Sequence, residues 1–483
     1  MIANLFSILK ERGVRTCHWK SNINLDRSLA GETDFDILVD RRKAQEFSQI
    51  LGECGFRPVR SSPWLEYPSI TNYLGYDKDT GKFIHLHVHY KILTGKSIIK
   101  EYHIPVEEYF LSETHYVRGI PVPSPEKELF IHIVRIALKS SPVDIIKKAI
   151  LEKVRGPRSD SRLEELNHLV RLSDLDKFDQ FLVVPELKGI NIGPIKKIAR
   201  EGKRIGLIDW FSIARSLRHF RRFNKIQAYI YSTFRYRVKR WAIDHGGSKK
   251  EPVTGGCCVA VIGIDGSGKT TVVNEAINPL SRFLKVGYFY MGSSGESHNR
   301  PITAKLVLFL SRCFSLPFKV FPEKSSVSII VRSFRRWLRE YIFAKNRLKN
   351  YRKAQKMASN GHIILLERFP IIGIADHPAD RPNSLRWDRE IIDSDLSKRL
   401  NYSLEKIYSQ IGGIDLIFVL ESSLDLATKR KPAYNSEGLK TKHELLDKYI
   451  KNNQETNGCI VIDASRSVDE IVKTIVKGIW DIS

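Results

Sequence analysis

Cys258-Val-Ala-Val-Ile-Gly-Ile-Asp-Gly-Ser-Gly-Lys-Thr-Thr271 is an apolar run feeding into a glycine-rich turn, and it decides the fold of the half of the chain that carries it. Gly263, Gly266, Gly268, Lys269 and Thr270 fill the pattern G-x-x-x-x-G-K-[ST]. The run before it reads as a buried strand, and the residues from Thr271 read as a helix. In this setting successive N–H groups, unobstructed by side chains, wrap phosphate oxygens at a helix N-terminus. Gly263, Gly266, Ser267, Gly268, Lys269, Thr270 and Thr271 are therefore the expected nucleotide-binding residues, with ATP as the cofactor. Lys269 neutralises phosphate charge, and the Thr270 hydroxyl is suited to ligating Mg2+.

At 483 residues the chain is too long for one ordinary core, so two or three domains are expected. A composition of 42% hydrophobic and 28% charged residues describes a globular protein rather than a disordered or fibrous one. The net charge of +25 points to acidic partners such as nucleotide, nucleic acid or an anionic membrane face. The six cysteines, scattered without metal-ligand spacing, suit a reducing cytoplasm. The first residues lack a signal-peptide core, and no apolar run reaches membrane-spanning length. Leu306 to Phe321 comes nearest and is broken by Arg312, Pro317 and Lys319.

Outward from the loop toward the N-terminus, Gly246-Gly-Ser-Lys-Lys-Glu-Pro252 reads as a linker. Before it, segment 210–243 spaces Ile213, Leu217, Phe220, Ile230, Phe234, Val238 and Trp241 on one helical stripe, with arginines and lysines between. Such a helix either lies on an anionic membrane surface, follows a nucleic-acid backbone, or packs its stripe between domains. Ser124-Pro125-Glu126 opens a further helix. Residues 121–250 are thus expected as a helical basic connector.

Near the N-terminus, strand alternation in Gly31-Glu-Thr-Asp-Phe-Asp-Ile-Leu-Val39 puts Asp34 and Asp36 on one face, a pair suited to divalent metal. A hairpin is expected from Ser69 to Tyr76 and Lys82 to Lys91. Its second strand carries His85, His87 and His89 on one face, able to bind a metal or anion or to form a hydrogen-bonded strand face. Residues 1–120 resemble the nucleotidyltransferase fold of the DNA polymerase beta superfamily. That resemblance implies an α+β domain in which Asp34 and Asp36 hold metal. Lys20-Ser21 stands where the family has Gly-Ser, and the family's third carboxylate is absent from Phe83–Tyr90.

After the loop, the apolar runs Lys285 to Met291, His362 to Glu367, Asp415 to Leu420 and Cys459 to Asp463 alternate with helical stretches. Alternation of this kind gives a doubly wound parallel α/β sheet. Residues 251–483 are similar to the thymidylate kinase family of P-loop kinases, in the loop itself, in Glu367-Arg368-Phe369, in Ala427 and Arg430 after the fourth strand, and in Val461-Ile-Asp-Ala-Ser465. The resemblance implies catalytic roles for Lys269, Arg368, Arg430 and Asp265, with Asp265 facing the acceptor and Arg368 its phosphate. Glu367 either orders Mg2+ through water or is a buried carboxylate paired with Arg368.

The expected reaction is Mg-ATP-dependent phosphoryl transfer to a nucleoside monophosphate or related small acceptor. Met291-Gly-Ser-Ser-Gly-Glu-Ser-His298 departs from the family's nucleotide-seating loop, so a sugar or glycan hydroxyl is the alternative acceptor. A third reading is a nucleotide-binding sensor or nucleotidyltransferase that engages nucleic acid or membrane. The expected partners are ATP, the acceptor, an anionic membrane surface or nucleic acid at residues 210–243, and a second copy of the chain. The expected location is the cytoplasm, peripheral at the membrane if residues 210–243 dock there.

Overall fold

The computed structural model describes residues 1–62, 65–155, 160–244, 249–292, 326–370, 395–430, 436–453 and 458–483. They form two compact units, Met1–Val253 and Thr254–Ser483.

The first unit is built on a mixed sheet of β1 (Thr16–His18), β2 (Phe35–Val39), β3 (Phe56–Arg60), β4 (Ile70–Asp77) and β5 (Lys82–His89). Two short hairpins follow, β6 (Leu93–Thr94) with β7 (Tyr102–His103) and β8 (Thr114–Val117) with β9 (Ile120–Pro123), and β10 (Glu251–Pro252) completes the sheet. Its order is β1-β2-β5-β4-β3-β10. The β4–β5 hairpin forms at the expected place, closed by Gly81 N donating to Asp77 O at 2.8 Å. Strands β2 and β5 pair in parallel, with Asp36 opposite His87.

Alternation then sorts the side chains. Phe35, Ile37, Val39, Leu86 and Val88 join one core with the helices Ile2–Glu11 and Ala44–Glu53. Fully burying each such side chain contributes roughly 1.5–3 kcal/mol. Leu38 lies on the opposite face, in a second core with Cys17, Trp19 and the helix Pro125–Lys139. Asp36, His87 and His89 share the parity of that second face.

Residues 121–250 are therefore no separate connector. Leu129, Ile133, Leu166, Phe178, Ile198 and Ile213 share the core that contains Trp19 and Leu38, so sheet and helices fold as one body. The stripe expected over 210–243 is also broken, into the helices Leu207–Ser216 and Lys225–Asp244. Arg222 N donates to Glu101 O at 2.8 Å and Arg221 Nε to the Tyr102 hydroxyl at 2.8 Å, which fixes the chain between them. Ile213 and Leu217 are consequently buried in the core, whereas Ile230 and Trp241 stay exposed. Among the described residues no helix is long and apolar enough to cross a membrane.

The second unit is a wholly parallel sheet of β11 (Cys257–Gly263), β12 (Val286–Tyr290), β13 (Ile363–Glu367), β14 (Leu416–Glu421) and β15 (Cys459–Asp463). Its order is β12-β13-β11-β14-β15, so each expected apolar run is a strand and the fold is α/β. β11 is buried along its whole length, as its unbroken apolar run requires in a central parallel strand. The helix Lys269–Phe283 follows the loop, and the helix Val468–Ile482 is closed by a capping box between Ser467 and Glu470. The segments 293–325 and 371–394 lie outside the described residues, the second with Asp376, His377, Asp380 and Arg381, residue types able to bind a polar acceptor.

Candidate functional site

The glycine-rich turn leaves the carboxyl end of the central strand and enters the helix Lys269–Phe283. Gly268, at φ +91°, occupies the position before the first helical residue, and no side chain caps the helix there. The first helical N–H groups thus lack an intrahelical acceptor. The glycines at 263 and 266 are required by space as well as conformation. A Cβ on Gly263 would lie 2.7 Å from Leu420 O, and one on Gly266 2.6 Å from Ala427 O. Ser267 is buried, and its Oγ has no hydrogen-bond partner among the described residues. Lys269 is only 4% exposed and donates from Nζ to Gly263 O and Ile264 O, both at 2.7 Å, which folds the ammonium over the loop.

Beside the loop lies the end of β13. Glu367 is fully buried and accepts from the Thr270 hydroxyl at 2.6 Å on Oε1 and from the Tyr288 hydroxyl at 2.6 Å on Oε2. Burial, and then the bond to Glu367, push the Tyr288 phenol above its ordinary value, so it remains a donor. Arg368 follows at φ +59°, a left-handed conformation that costs a non-glycine residue roughly 1–2 kcal/mol. Its guanidinium Nη1 reaches Asp265 Oδ1 at 2.7 Å, while its Nε stands 3.8 Å from Glu367. The expected pairing with Glu367 is thus the longer of these two carboxylate contacts of Arg368, and the shorter, with Asp265, is not one the sequence predicts.

Asp265 accepts on its other oxygen from Lys442 Nζ at 2.6 Å, a residue of the helix Ser436–Asn453. Burial raises the Asp265 pKa, but the charges of Lys442, Arg368 and Lys269 outweigh it and hold the carboxyl well below its ordinary range. Arg430 ends the helix Leu424–Arg430, with Nη1 3.8 Å from where a Cβ on Gly268 would stand and Nη2 3.4 Å from Ala464 O. The structure thus gathers Asp265, Lys269, Thr270, Glu367, Arg368 and Arg430 around one loop.

One residue of this cluster escapes a linear reading, and a second is legible only as one cation among several. Tyr288 sits in an apolar strand 79 residues before Glu367, and nothing local marks it. Lys442 is one of several lysines in its region, and only its 2.6 Å contact with Asp265 singles it out. Thr271, exposed like Thr270 before it, is not among the residues gathered there. Lys431, the basic residue that follows Arg430, lies outside the described residues.

In the first unit, Asp34 immediately precedes β2 and accepts from His85 Nδ1 at 2.6 Å. Asp36, within β2, meets Lys20 Nζ at 2.7 Å, His87 Nδ1 at 3.1 Å and His89 Nε2 at 3.2 Å, all at Oδ1. Burial would raise the Asp36 carboxyl, yet Lys20 and the two imidazoles hold it well below its ordinary value. Burial lowers both His87 and His89, so the rings stand neutral beside it.

No family model matches the chain. The chain is 25% identical over 227 residues to the uncharacterised ATP-binding protein YghR of Escherichia coli strain K12, covering 46% of this chain and 86% of that protein. The protein of the same description from Escherichia coli O6:H1 strain CFT073 matches to the same extent. Among solved structures, a thymidylate kinase from Candida albicans aligns with TM-score 0.28 and 18% identity, over 46% of this chain and 89% of its own. A deoxyadenosine kinase from M. mycoides aligns with TM-score 0.27 and 15% identity, over 45% and 96%.

Proposed function

We propose that the second unit binds Mg-ATP and transfers its terminal phosphoryl group to a small phosphorylated or hydroxylated acceptor, a nucleoside monophosphate before a sugar or glycan hydroxyl. The observation that carries this reading is the loop at the end of β11 with Thr270 bonded to the buried Glu367 of the neighbouring strand. An uncapped helix start, the unpartnered Ser267 hydroxyl and the Lys269 ammonium supply donors to the oxygens of a polyphosphate. The similarity to a protein described as ATP-binding supports the donor.

Thr270 Oγ1 and the Glu367 carboxylate are hard oxygen donors side by side, a set that fits Mg2+ with Thr270 as ligand and Glu367 holding coordinated water. When bound, the ion would neutralise phosphate charge. The protein's own part is positioning and charge. Transfer spreads negative charge over the moving phosphoryl oxygens, so fixed cations around them lower the barrier. Lys269 and Arg430 stand at the loop, and Arg368 and Lys442 converge on Asp265 from two other elements. An acceptor phosphate would take up the Arg368 guanidinium, and Asp265 would then accept from the acceptor's hydroxyl. Held below its ordinary pKa, Asp265 orients that hydroxyl and is a poor general base.

The test is ADP and product formation, read by mass spectrometry, with ATP and a panel of nucleoside monophosphates, sugars and glycans. ADP is expected only with a matching acceptor. Lys269→Ala should weaken ATP binding by about 100-fold, the loss of a charged hydrogen bond of about 3 kcal/mol. ATP binding without turnover on any acceptor would refute the transfer and leave a nucleotide sensor.

A further inference from the structure

The resemblance of the first 120 residues implies two metal ions held by Asp34, Asp36 and a third carboxylate, an oxygen-donor set that suits Mg2+, and the donors present do not fit that arrangement. Mg2+ takes oxygen ligands and keeps several waters. Here the strand beside β2 supplies imidazoles where a carboxylate would be needed. Asp34 is taken by His85 at 2.6 Å, whereas Asp36, His87 and His89 bring one ligand atom each within 4.8 Å of one another.

We infer that Asp36, His87 and His89 form a binding site for a single divalent transition-metal ion such as Zn2+, Mn2+ or Co2+. Two imidazoles and one carboxylate are a borderline-soft donor set of the kind these ions select. The sheet presents it ready-made: the parallel register sets Asp36 opposite His87, and His89 follows two residues on, on the same face. The rings are held by packing, with Trp19 edge-on to His89 at 5.0 Å and His87 edge-on to His89 at 4.7 Å between centroids.

The hydrogen bonding points the same way. Three nitrogens, from Lys20, His87 and His89, crowd the single oxygen Oδ1 of Asp36 at 2.7 to 3.2 Å. One carboxylate oxygen offers about two lone-pair sites. An ion among the three ligand atoms replaces those contacts with bonds. The imidazoles become ligands when each ring proton moves to its other nitrogen. For His89 that nitrogen, Nδ1, is buried and has no hydrogen-bond partner among the described residues, so the exchange breaks no existing bond there. Lys20 then serves as the resident counter-charge of Asp36, which a dication outcompetes.

The experiment titrates the full, tag-free chain with Co2+ alone, without nucleotide, and reads the visible ligand-field absorption and the heat of binding. One Co2+ per chain is expected, with binding weakened by at least about 10-fold in His87→Ala and in His89→Ala, about 1.4 kcal/mol each. His115→Ala, on an exposed histidine elsewhere, should bind as the unmodified chain does. Circular dichroism establishes that each variant is folded, and His89→Gln replaces His89→Ala if the buried site does not tolerate truncation. In the unmodified chain, Zn2+ should abolish the absorption and excess Mg2+ should leave it. The inference is overturned if the folded chain takes up no Co2+, if the folded histidine variants bind as tightly as the unmodified chain, or if Mg2+ displaces the ion.

Discussion

Asp36 and Asp265 are the same side chain in two different companies. Each is largely buried, each meets a lysine ammonium at 2.7 or 2.6 Å, and each is held below its ordinary pKa by its neighbours. The further partners differ. Those of Asp36 are His87 and His89, whose nitrogens can exchange a hydrogen for a metal bond. The second partner of Asp265 is Arg368, which stays protonated and has no lone pair to offer. A carboxylate among imidazoles is therefore a cation site in waiting, while a carboxylate between Arg and Lys organises cations that an arriving phosphate can use. The neighbours, and not the aspartate, set the polarity of the ligand.

The sharpest way to break this contrast is to change both aspartates alike. Asp36→Asn should abolish the Co2+ absorption and Asp265→Asn should leave it intact; equal loss in both, with both folded, would show that the contrast is wrong. The rigid frame of the second site is tested next by Gly266→Ala. Its Cβ would meet Ala427 O at 2.6 Å at a φ of +90°, and the overlap with the left-handed strain should destabilise the unit by about 3 kcal/mol in denaturant unfolding. Tyr288→Phe removes a donor from the buried Glu367 and should cost about 2 kcal/mol in the same measurement, with no counterpart in the first unit.

The smallest expected effect is on pH dependence. The folded pKa of Asp265 is depressed, so the stability it contributes is complete above its ordinary value of 3.8 and is lost as pH falls toward the folded value. Stability of the second unit should therefore decline with acid below about pH 4. Asp265→Asn should be less stable at neutral pH and show a flatter decline; an unchanged slope would remove Asp265 from the acid response.

The two sites were unequally legible in the amino-acid order. The loop from Gly263 to Thr271 is contiguous, and its backbone does the binding, so a short pattern suffices to read it. Glu367 and Arg368 were marked by the resemblance of Glu367-Arg368-Phe369 to the thymidylate kinase family's signature, but the choice of Asp265 over Glu367 as the partner of Arg368 turns on 2.7 against 3.8 Å. His85, His87 and His89 could be placed on one strand face by alternation alone. That the face points at Asp34 and Asp36 depends on β5 lying beside β2, and that Lys20 joins them depends on the chain leaving β1.

The phosphate loop, the apolar runs that form the parallel strands, the β4–β5 hairpin and the two-residue spacing of the histidines are all legible in the amino-acid order. All of these follow from local backbone geometry and side-chain periodicity. Three features emerge from folding alone: the helices after residue 120 share a core with the first sheet, the basic stripe breaks at Arg221 and Arg222, and particular charges meet Asp36 and Asp265. The physical reason is that those contacts join residues on different elements, and strand order and packing, which no local pattern encodes, determine which elements meet.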